Sequence, residues 1–155
     1  MFTVLVPGAV GFYVPFSLLK HASLRGGGWA TGWLPIAVGT LLYGFSLIRF
    51  LLAGGTPAIF FTRHLRALIG EEPGALEAGG PYRFSRNPMY LGVWLVVMGQ
   101  AILFASKGIA IYSLVLFLLF HVVVVFIEEP HLRAEHGARY AQYCGKVPRW
   151  FGPLH

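Results

Sequence analysis

Four apolar stretches, each close to the length needed to cross a bilayer as a helix, constrain the fold of this chain most. They are Phe2 to Leu19, Leu34 to Ala53, Met89 to Ala105 and Ile109 to Ile127. A hydrocarbon core is roughly 30 Å thick, and a helix needs about 20 mostly apolar residues to cross it. Arg49 is the only charged residue in any of the four. The sequence therefore predicts an all-α integral membrane protein with about four transmembrane helices.

Composition supports the membrane class over a water-soluble one. Hydrophobic residues make up 56% of the 155 residues, charged residues 12%, and the mean hydropathy is +0.66. No stretch alternates as a β-barrel strand does, so helices are expected to satisfy the backbone groups in lipid. The first apolar run has no Lys or Arg before it and is longer than a usual signal h-region, so we expect it to be retained. Its Pro7, Gly8, Gly11 and Pro15 predict a kink.

Charged residues predict the topology, because basic residues accumulate on the cytoplasmic side of a membrane. The first and third loops hold Lys20, Arg25 and Lys107. The other side holds Arg49, Arg63, Arg66, Arg83, Arg86, Arg133, Arg139, Lys146 and Arg149. All acidic side chains also fall there: Glu71, Glu72, Glu77, Glu128, Glu129 and Glu135. We therefore expect both termini, the loop 54–88 and the tail 128–155 in the cytoplasm, with a bacterial or archaeal inner membrane as the location.

One domain is predicted over residues 1–155, since the chain contains no internal repeat. Residues 58–69 have the spacing of a short helix lying in the membrane interface. The tail predicts an amphipathic helix with Gly137 as its weak point. The face of that helix carries Leu132, His136, Tyr140 and Tyr143.

Cysteine usage and net charge exclude some classes of site and partner. Cys144 is the only cysteine, so no internal disulfide and no Cys-based metal site can form, and we predict no metal. We expect Cys144 to be chemically inert. The net charge of +6 indicates contact with anionic lipid headgroups rather than nucleic acid.

Two polar motifs flank the last two apolar runs on the predicted cytoplasmic side. GPYRFSRNPMY, residues 80–90, precedes the third run, and Glu128 with Glu129 ends the fourth. Adjacent carboxylates at a helix C-terminus repel one another and face the negative end of the helix dipole. They therefore need a cationic partner. Pairing with Arg83 or Arg86 and binding of a cationic ligand both remain open from the residues alone.

The order of these motifs resembles the membrane methyltransferase superfamily that contains isoprenylcysteine carboxyl methyltransferases and phosphatidylethanolamine N-methyltransferases. The resemblance runs from about Leu76 to Arg149. Its parts are Gly80-Pro81-Tyr82, Arg86-Asn87-Pro88-Met89-Tyr90-Leu91-Gly92, Glu128-Glu129, Leu132, Gly137, Tyr140, Tyr143 and Val147-Pro148-Arg149. The resemblance implies that S-adenosylmethionine binds in a pocket facing the cytoplasm.

The resemblance also implies which residues of this chain contact the cofactor. These are Leu76, Tyr82, Asn87, Pro88, Met89, Tyr90, Glu128 and Glu129. The cofactor carboxylate suits Arg86 or Arg83, because an arginine can bind a carboxylate through two parallel hydrogen bonds. Glu129 or His131 is the candidate acceptor for the proton of an amine substrate. Arg86 and Glu129 are therefore the predicted catalytic residues.

Two departures from the carboxyl-methylating relatives bear on the acceptor. Those relatives have His at the position of Asn87, where this chain is closer to the phospholipid N-methyltransferases. The prenylcysteine enzymes also carry a substrate-binding Arg four residues before the first Glu, and that position is Val124 here. The expected acceptor is therefore lipidic or amphipathic, a phospholipid amine rather than a prenylcysteine carboxylate.

Two classes without enzymatic activity are the alternatives to a methyltransferase. A proton-coupled transporter would be expected to carry a carboxylate within a span, and none of the four runs has one. A haem-binding electron carrier would need two facing histidines, and only His121 lies well inside a run. His121 is expected to form an interhelical hydrogen bond, with a position lining the acceptor channel as the alternative.

Overall fold

The described residues of the computed structural model, 9–18, 29–52 and 79–151, form helices and turns without any strand. This confirms the all-α prediction for that part of the chain. A π-helical turn at Ala9–Tyr13 precedes the first α-helix, and a second, Val124–Glu128, joins the last two. A short 3-10 helix covers Gly80–Arg83. The α-helices are α1 (Val14–Leu18), α2 (Trp29–Leu52), α3 (Pro88–Leu103), α4 (Lys107–Val123) and α5 (Glu129–Lys146).

Two helical stretches in the described residues are long and apolar enough to cross a membrane. They are Thr31–Leu52, with 22 residues, and the continuous stretch Lys107–Lys146, with 40 residues. The second stretch includes a π-helical turn and a break at Gly137, it exceeds the roughly 20 residues that a span needs, and its apolar part ends at Ile127. α3 is apolar but has only 16 residues. Four transmembrane helices therefore stay a prediction.

The first predicted span is described only at residues 9–18, and it is helical there. Its π-helical turn departs from regular α geometry where the sequence predicted a kink. The predicted interfacial helix at 58–69 lies outside the described residues. The chain divides into two compact units, the first made of Met1–Tyr43 with Tyr90–Phe120 and the second of Gly44–Met89 with His121–His155. The single domain stays a prediction.

In the first unit, four glycines bring the backbones of α2 and α3 into close contact. A Cβ atom on Gly39 would lie 2.6 Å from the carbonyl oxygen of Gly92, and one on Gly99 would lie 2.7 Å from that of Gly32. In each helix the two glycines are seven residues apart, which places them on one face of that helix. Small residues at such positions let membrane helices pack closely, which increases their van der Waals contact.

The core of the first unit lies between α3 and α4, where Val97, Ala101, Ile109 and Leu116 are buried. Two polar side chains from these helices bind the π-helical turn of residues 9–13. Gln100 Nε2 donates to the Gly11 carbonyl at 2.6 Å, and Tyr112 Oη donates to the Val10 carbonyl at 3.0 Å. Buried carbonyl groups need such partners in an apolar interior. The side chains of α3 and α4 therefore stabilise the irregular turn.

The turn between α3 and α4 places Ala105 in the left-handed region, with φ at 46°. The N–H of Ser106 donates to the carbonyl of Ala101, and that of Ala105 donates to the carbonyl of Ile102, which is a Schellman ending of α3. Such endings favour glycine at the position of Ala105, because a Cβ is strained there.

Replacing Ala105 with Gly should therefore stabilise the protein by about 0.5–1 kcal/mol, measured by reversible unfolding in detergent micelles. The matched control is Ala110→Gly in the exposed interior of α4, which should destabilise by about 1 kcal/mol. The prediction would be contradicted if both substitutions lowered the free energy of unfolding by the same amount.

Candidate functional site

A buried carboxylate surrounded by three arginines forms the polar centre of the second unit. The side chain of Glu129 is 5% exposed. Arg149 binds it through two hydrogen bonds, from Nε to Oε1 at 2.6 Å and from Nη2 to Oε2 at 3.0 Å. Arg86 Nη1 lies 3.1 Å from Oε1, and Arg133 Nη2 lies 3.6 Å from Oε2. We call these four residues the Glu129 cluster.

The arginines keep Glu129 ionised. Burial alone would raise the pKa of Glu129, but the hydrogen bond from Arg149 and the charges of Arg86, Arg149 and Arg133 outweigh it and hold this pKa below its ordinary value of 4.5. The same hydrogen bond to Glu129 raises the pKa of Arg149. At neutral pH the cluster is therefore a fully charged ion-pair network. Glu129, at its centre, comes two residues after Ile127, where the apolar run ends.

The segment after α5 is bound to the turn before α3, and we call residues 147–151 the tail segment. α5 ends at Lys146, and Val147 is extended. The Pro148 carbonyl accepts from the backbone N–H of Arg86 at 2.9 Å. The Arg149 carbonyl accepts from Asn87 Nδ2 at 3.0 Å and from Ser85 Oγ at 3.2 Å. These three hydrogen bonds hold the tail segment against residues 85–87.

Arg86 also contacts the second half of α5. Its Nη1 atom lies 2.7 Å from Cys144 Sγ and 3.4 Å from Tyr140 Oη. Burial raises the pKa of Tyr140 to about 12, so its phenol is neutral at physiological pH. Arg86 Nε is buried and has no hydrogen-bond partner among the described residues.

A break at Gly137 shapes the helix that carries these contacts. Gly137 has φ at 48° and ψ at −122°, a conformation that residues with a Cβ rarely adopt. Along α5, Leu132 and His136 before the break and Tyr143 after it are half-buried, and Tyr140 is buried. The predicted face of the amphipathic helix and the predicted weak point are both confirmed. Tyr143 Oη donates to the Tyr82 carbonyl at 2.6 Å.

The structure brings together some of the predicted site residues. Arg86 contacts Glu129 directly, and Arg149 binds both Asn87 and Glu129. Glu128 precedes Glu129 and is 7% exposed.

The other predicted residues have different surroundings. Tyr82 is buried, and Pro88 is buried at the start of α3 with Met89 half-buried after it. Tyr90 belongs to the first unit, and its ring centroid lies 4.7 Å from that of Phe120. Leu76 lies outside the described residues.

The sequence interpretation missed the partnership of Arg149 with Glu129. Pairing with Arg86 was one of the options considered and is confirmed, whereas Arg83 is exposed. The motif Val147-Pro148-Arg149 was part of the resemblance, but nothing in its spacing indicated which acidic group it contacts. Cys144, expected to be inert, contacts Arg86.

His121 has a partner that the sequence did not reveal. Its Nδ1 atom accepts a hydrogen bond from Trp150 Nε1 at 3.0 Å. The ring therefore has a hydrogen bond within the protein, as expected, but its partner lies in the segment after α5 and not on a neighbouring helix. This hydrogen bond from Trp150 to the half-buried imidazole contributes to attaching the tail segment.

Comparison with known proteins places the chain among membrane enzymes. A family model described as phospholipid methyltransferase matches residues 30–139. No curated protein and no solved structure gave a match. The matched residues include α3, α4 and three members of the Glu129 cluster, Arg86, Glu129 and Arg133.

Proposed function

The chain belongs to the phospholipid methyltransferase family, and we propose that it transfers a methyl group from S-adenosylmethionine to a lipidic or amphipathic acceptor. The family supports the methyltransferase class and a lipid acceptor over the transporter and the haem carrier. The observation that carries the proposal is a buried charged cluster. This Glu129 cluster includes Arg86 and Glu129, and its Arg149 binds Asn87; the resemblance assigns Asn87 and Glu129 to the cofactor.

The chemistry of the residues fits this cofactor. S-adenosylmethionine carries a carboxylate, an ammonium and a sulfonium group. The buried Nε donor of Arg86, which lacks a partner among the described residues, suits the carboxylate. Glu128, a carboxylate that is 7% exposed, is the group we propose for the cationic part of the cofactor. Tyr82, Pro88, Met89 and Tyr90 complete the proposed contacts. Leu76, outside the described residues, stays part of the proposal.

The proposed mechanism depends on alignment more than on acid or base catalysis. When bound, S-adenosylmethionine supplies the methyl group for a direct displacement by the acceptor. The residues of the chain orient the reactants and exclude water, which accounts for much of the rate of such reactions. Because a lowered pKa makes Glu129 a weak proton acceptor, we assign it the role of holding Arg86 and Arg149. His131 then remains the candidate acceptor for an amine proton.

We propose a phospholipid amine as the acceptor and the cytoplasmic edge of the membrane as the location of the site. Val124, at the position where the prenylcysteine enzymes have Arg, is 1% exposed. A buried valine offers no charge for a prenylcysteine carboxylate. Exposed cationic side chains of the second unit suit anionic headgroups: Arg83, Arg133, Arg139 and Lys146.

Calorimetric titration of S-adenosylmethionine into the detergent-purified protein tests the proposal. We expect the parent to bind and Glu128→Gln to bind roughly 10- to 100-fold more weakly, because hydrogen bonds to charged groups contribute about 1.5–3 kcal/mol. The matched control is Glu135→Gln, which removes a carboxylate that pairs with His131 on the exposed part of α5. A folded parent that binds no S-adenosylmethionine would refute the proposal.

A further inference from the structure

Arg149 contacts two residues to which the proposed function assigns the cofactor, through two different parts of the amino acid. Its backbone carbonyl binds the side chain of Asn87, and its guanidinium binds that of Glu129. We propose that Arg149 is a positioning residue for S-adenosylmethionine, which sets the orientation of Asn87 and of the Glu129–Arg86 pair before the cofactor arrives. This inference rests on the proposed function.

The carbonyl of Arg149 orients the turn before α3. Asn87 Nδ2 donates to it, while the backbone N–H of Asn87 donates to Ser85 Oγ at 3.1 Å. Ser85 Oγ in turn donates to the same carbonyl of Arg149. Two side chains of the turn therefore depend on one carbonyl oxygen. Its position depends on the guanidinium of the same residue, which is held by Glu129.

The guanidinium of Arg149 orients the carboxylate of Glu129. Its two hydrogen bonds engage both carboxylate oxygens, and such two-point contacts restrict the carboxylate plane as a single charge does not. The contact of Arg86 with this carboxylate is from Nη1 to Oε1 at 3.1 Å, and no second hydrogen bond joins this pair among the described residues. Without Arg149, Glu129 would be free to turn toward Arg86, and the buried Nε of Arg86 would change its direction. The cofactor carboxylate proposed to bind that donor would then bind less well.

Arg133 provides a matched control because it contacts the same carboxylate from the protein surface. Its side chain is 65% exposed, and its nearest nitrogen lies 3.6 Å from Glu129 Oε2. Exposed ion pairs of this kind contribute little, since water and salt screen them. Replacing Arg133 removes the same charge as replacing Arg149 but leaves the backbone of the tail segment in place.

The test is calorimetric titration of S-adenosylmethionine and S-adenosylhomocysteine into the full chain and three variants in detergent, with a thermal melt of each. Arg149→Gln should weaken the binding of both ligands by the same factor, about tenfold. The reason is that the orientation of Asn87 and Glu129 affects groups that the two ligands share. Arg133→Gln should bind both within about twofold of the parent. Arg149→Lys should melt near the parent yet bind both ligands more weakly, because Lys keeps the charge without the two-point contact. A purely structural role would not separate affinity from melting temperature in this way.

Several outcomes would overturn the inference. Unchanged affinity in folded Arg149 variants would overturn it alone, and so would tighter binding of S-adenosylmethionine, which would show Arg149 to be a competing cation. If Arg149→Gln does not fold, Arg149→Lys decides by the same criteria. A folded parent that binds neither ligand would overturn the proposed function together with this inference.

Discussion

Replacing Glu129 with Gln is expected to lower the free energy of unfolding by about 3 kcal/mol, because it removes a buried anion and leaves two half-buried arginines without it. Arg149 and Arg86, whose side chains are 31% and 11% exposed, would both lose their partner. An amide can accept hydrogen bonds but carries no charge to offset the cost of holding two half-buried cations side by side. Reversible unfolding in mixed micelles, followed by circular dichroism, measures the change.

Glu135→Gln is the control for this variant, since Glu135 lies on the same helix. Among the described residues, its ion pair is with His131. We expect it to change the free energy of unfolding by less than about 0.5 kcal/mol. If Glu129→Gln unfolded with the parent's free energy, the Glu129 cluster would contribute no net stability and its charges would be better solvated than the contacts indicate.

The stabilising effect of Glu129 should also depend on pH in a defined direction. Its pKa in the folded protein is lowered from 4.5, so its contribution is complete above about pH 4.5 and is lost as the pH falls through the lower folded value. The difference in unfolding free energy between the parent and Glu129→Gln should therefore shrink in that acidic range. A difference that stayed constant across it would contradict the assignment of an ionised Glu129.

Replacing Gly39 with Ala is expected to destabilise the protein by about 1–3 kcal/mol, because the added methyl group overlaps the backbone of α3. The new Cβ would lie 2.6 Å from the Gly92 carbonyl oxygen and 2.9 Å from the backbone nitrogen of Val96. Backbone atoms cannot rotate away as a flexible side chain can. α2 and α3 would have to separate, which weakens their packing along the glycine positions.

Gly44→Ala is the matched control, since it makes the same chemical change in the same helix. A Cβ on Gly44 would meet no atom within 4 Å, so the substitution should be neutral or stabilise α2 by up to about 1 kcal/mol. Thermal melts of both variants in the same detergent give the comparison. Equal effects of the two substitutions would mean that the close contact between α2 and α3 is not what stabilises the first unit.

The types of residue in the candidate site could largely be predicted from the sequence, but which of them contact one another could not. The two adjacent glutamates needed a cation, and the sequence pointed to arginine as its source. Arg83 and Arg86 were equally plausible partners by their distance along the chain, and Arg149 was not considered. The structure selects Arg86 and Arg149. The break at Gly137 and the end of α5 at Lys146 decide which arginine reaches Glu129. Neither feature allows the distance between an arginine and Glu129 to be calculated from the sequence alone.

The sequence by itself determined the helical class, the approximate extents of α2, α3 and α4, and the side of α5 that becomes buried. These follow from the apolar runs and the helical period, which act locally and need no knowledge of distant residues. Only the tertiary structure decided that the tail segment returns to residues 85–87 and that Arg149 binds Asn87 and Glu129. The physical reason is that such pairings depend on the whole path of the backbone between the partners, where small changes in one turn move a side chain by several ångströms.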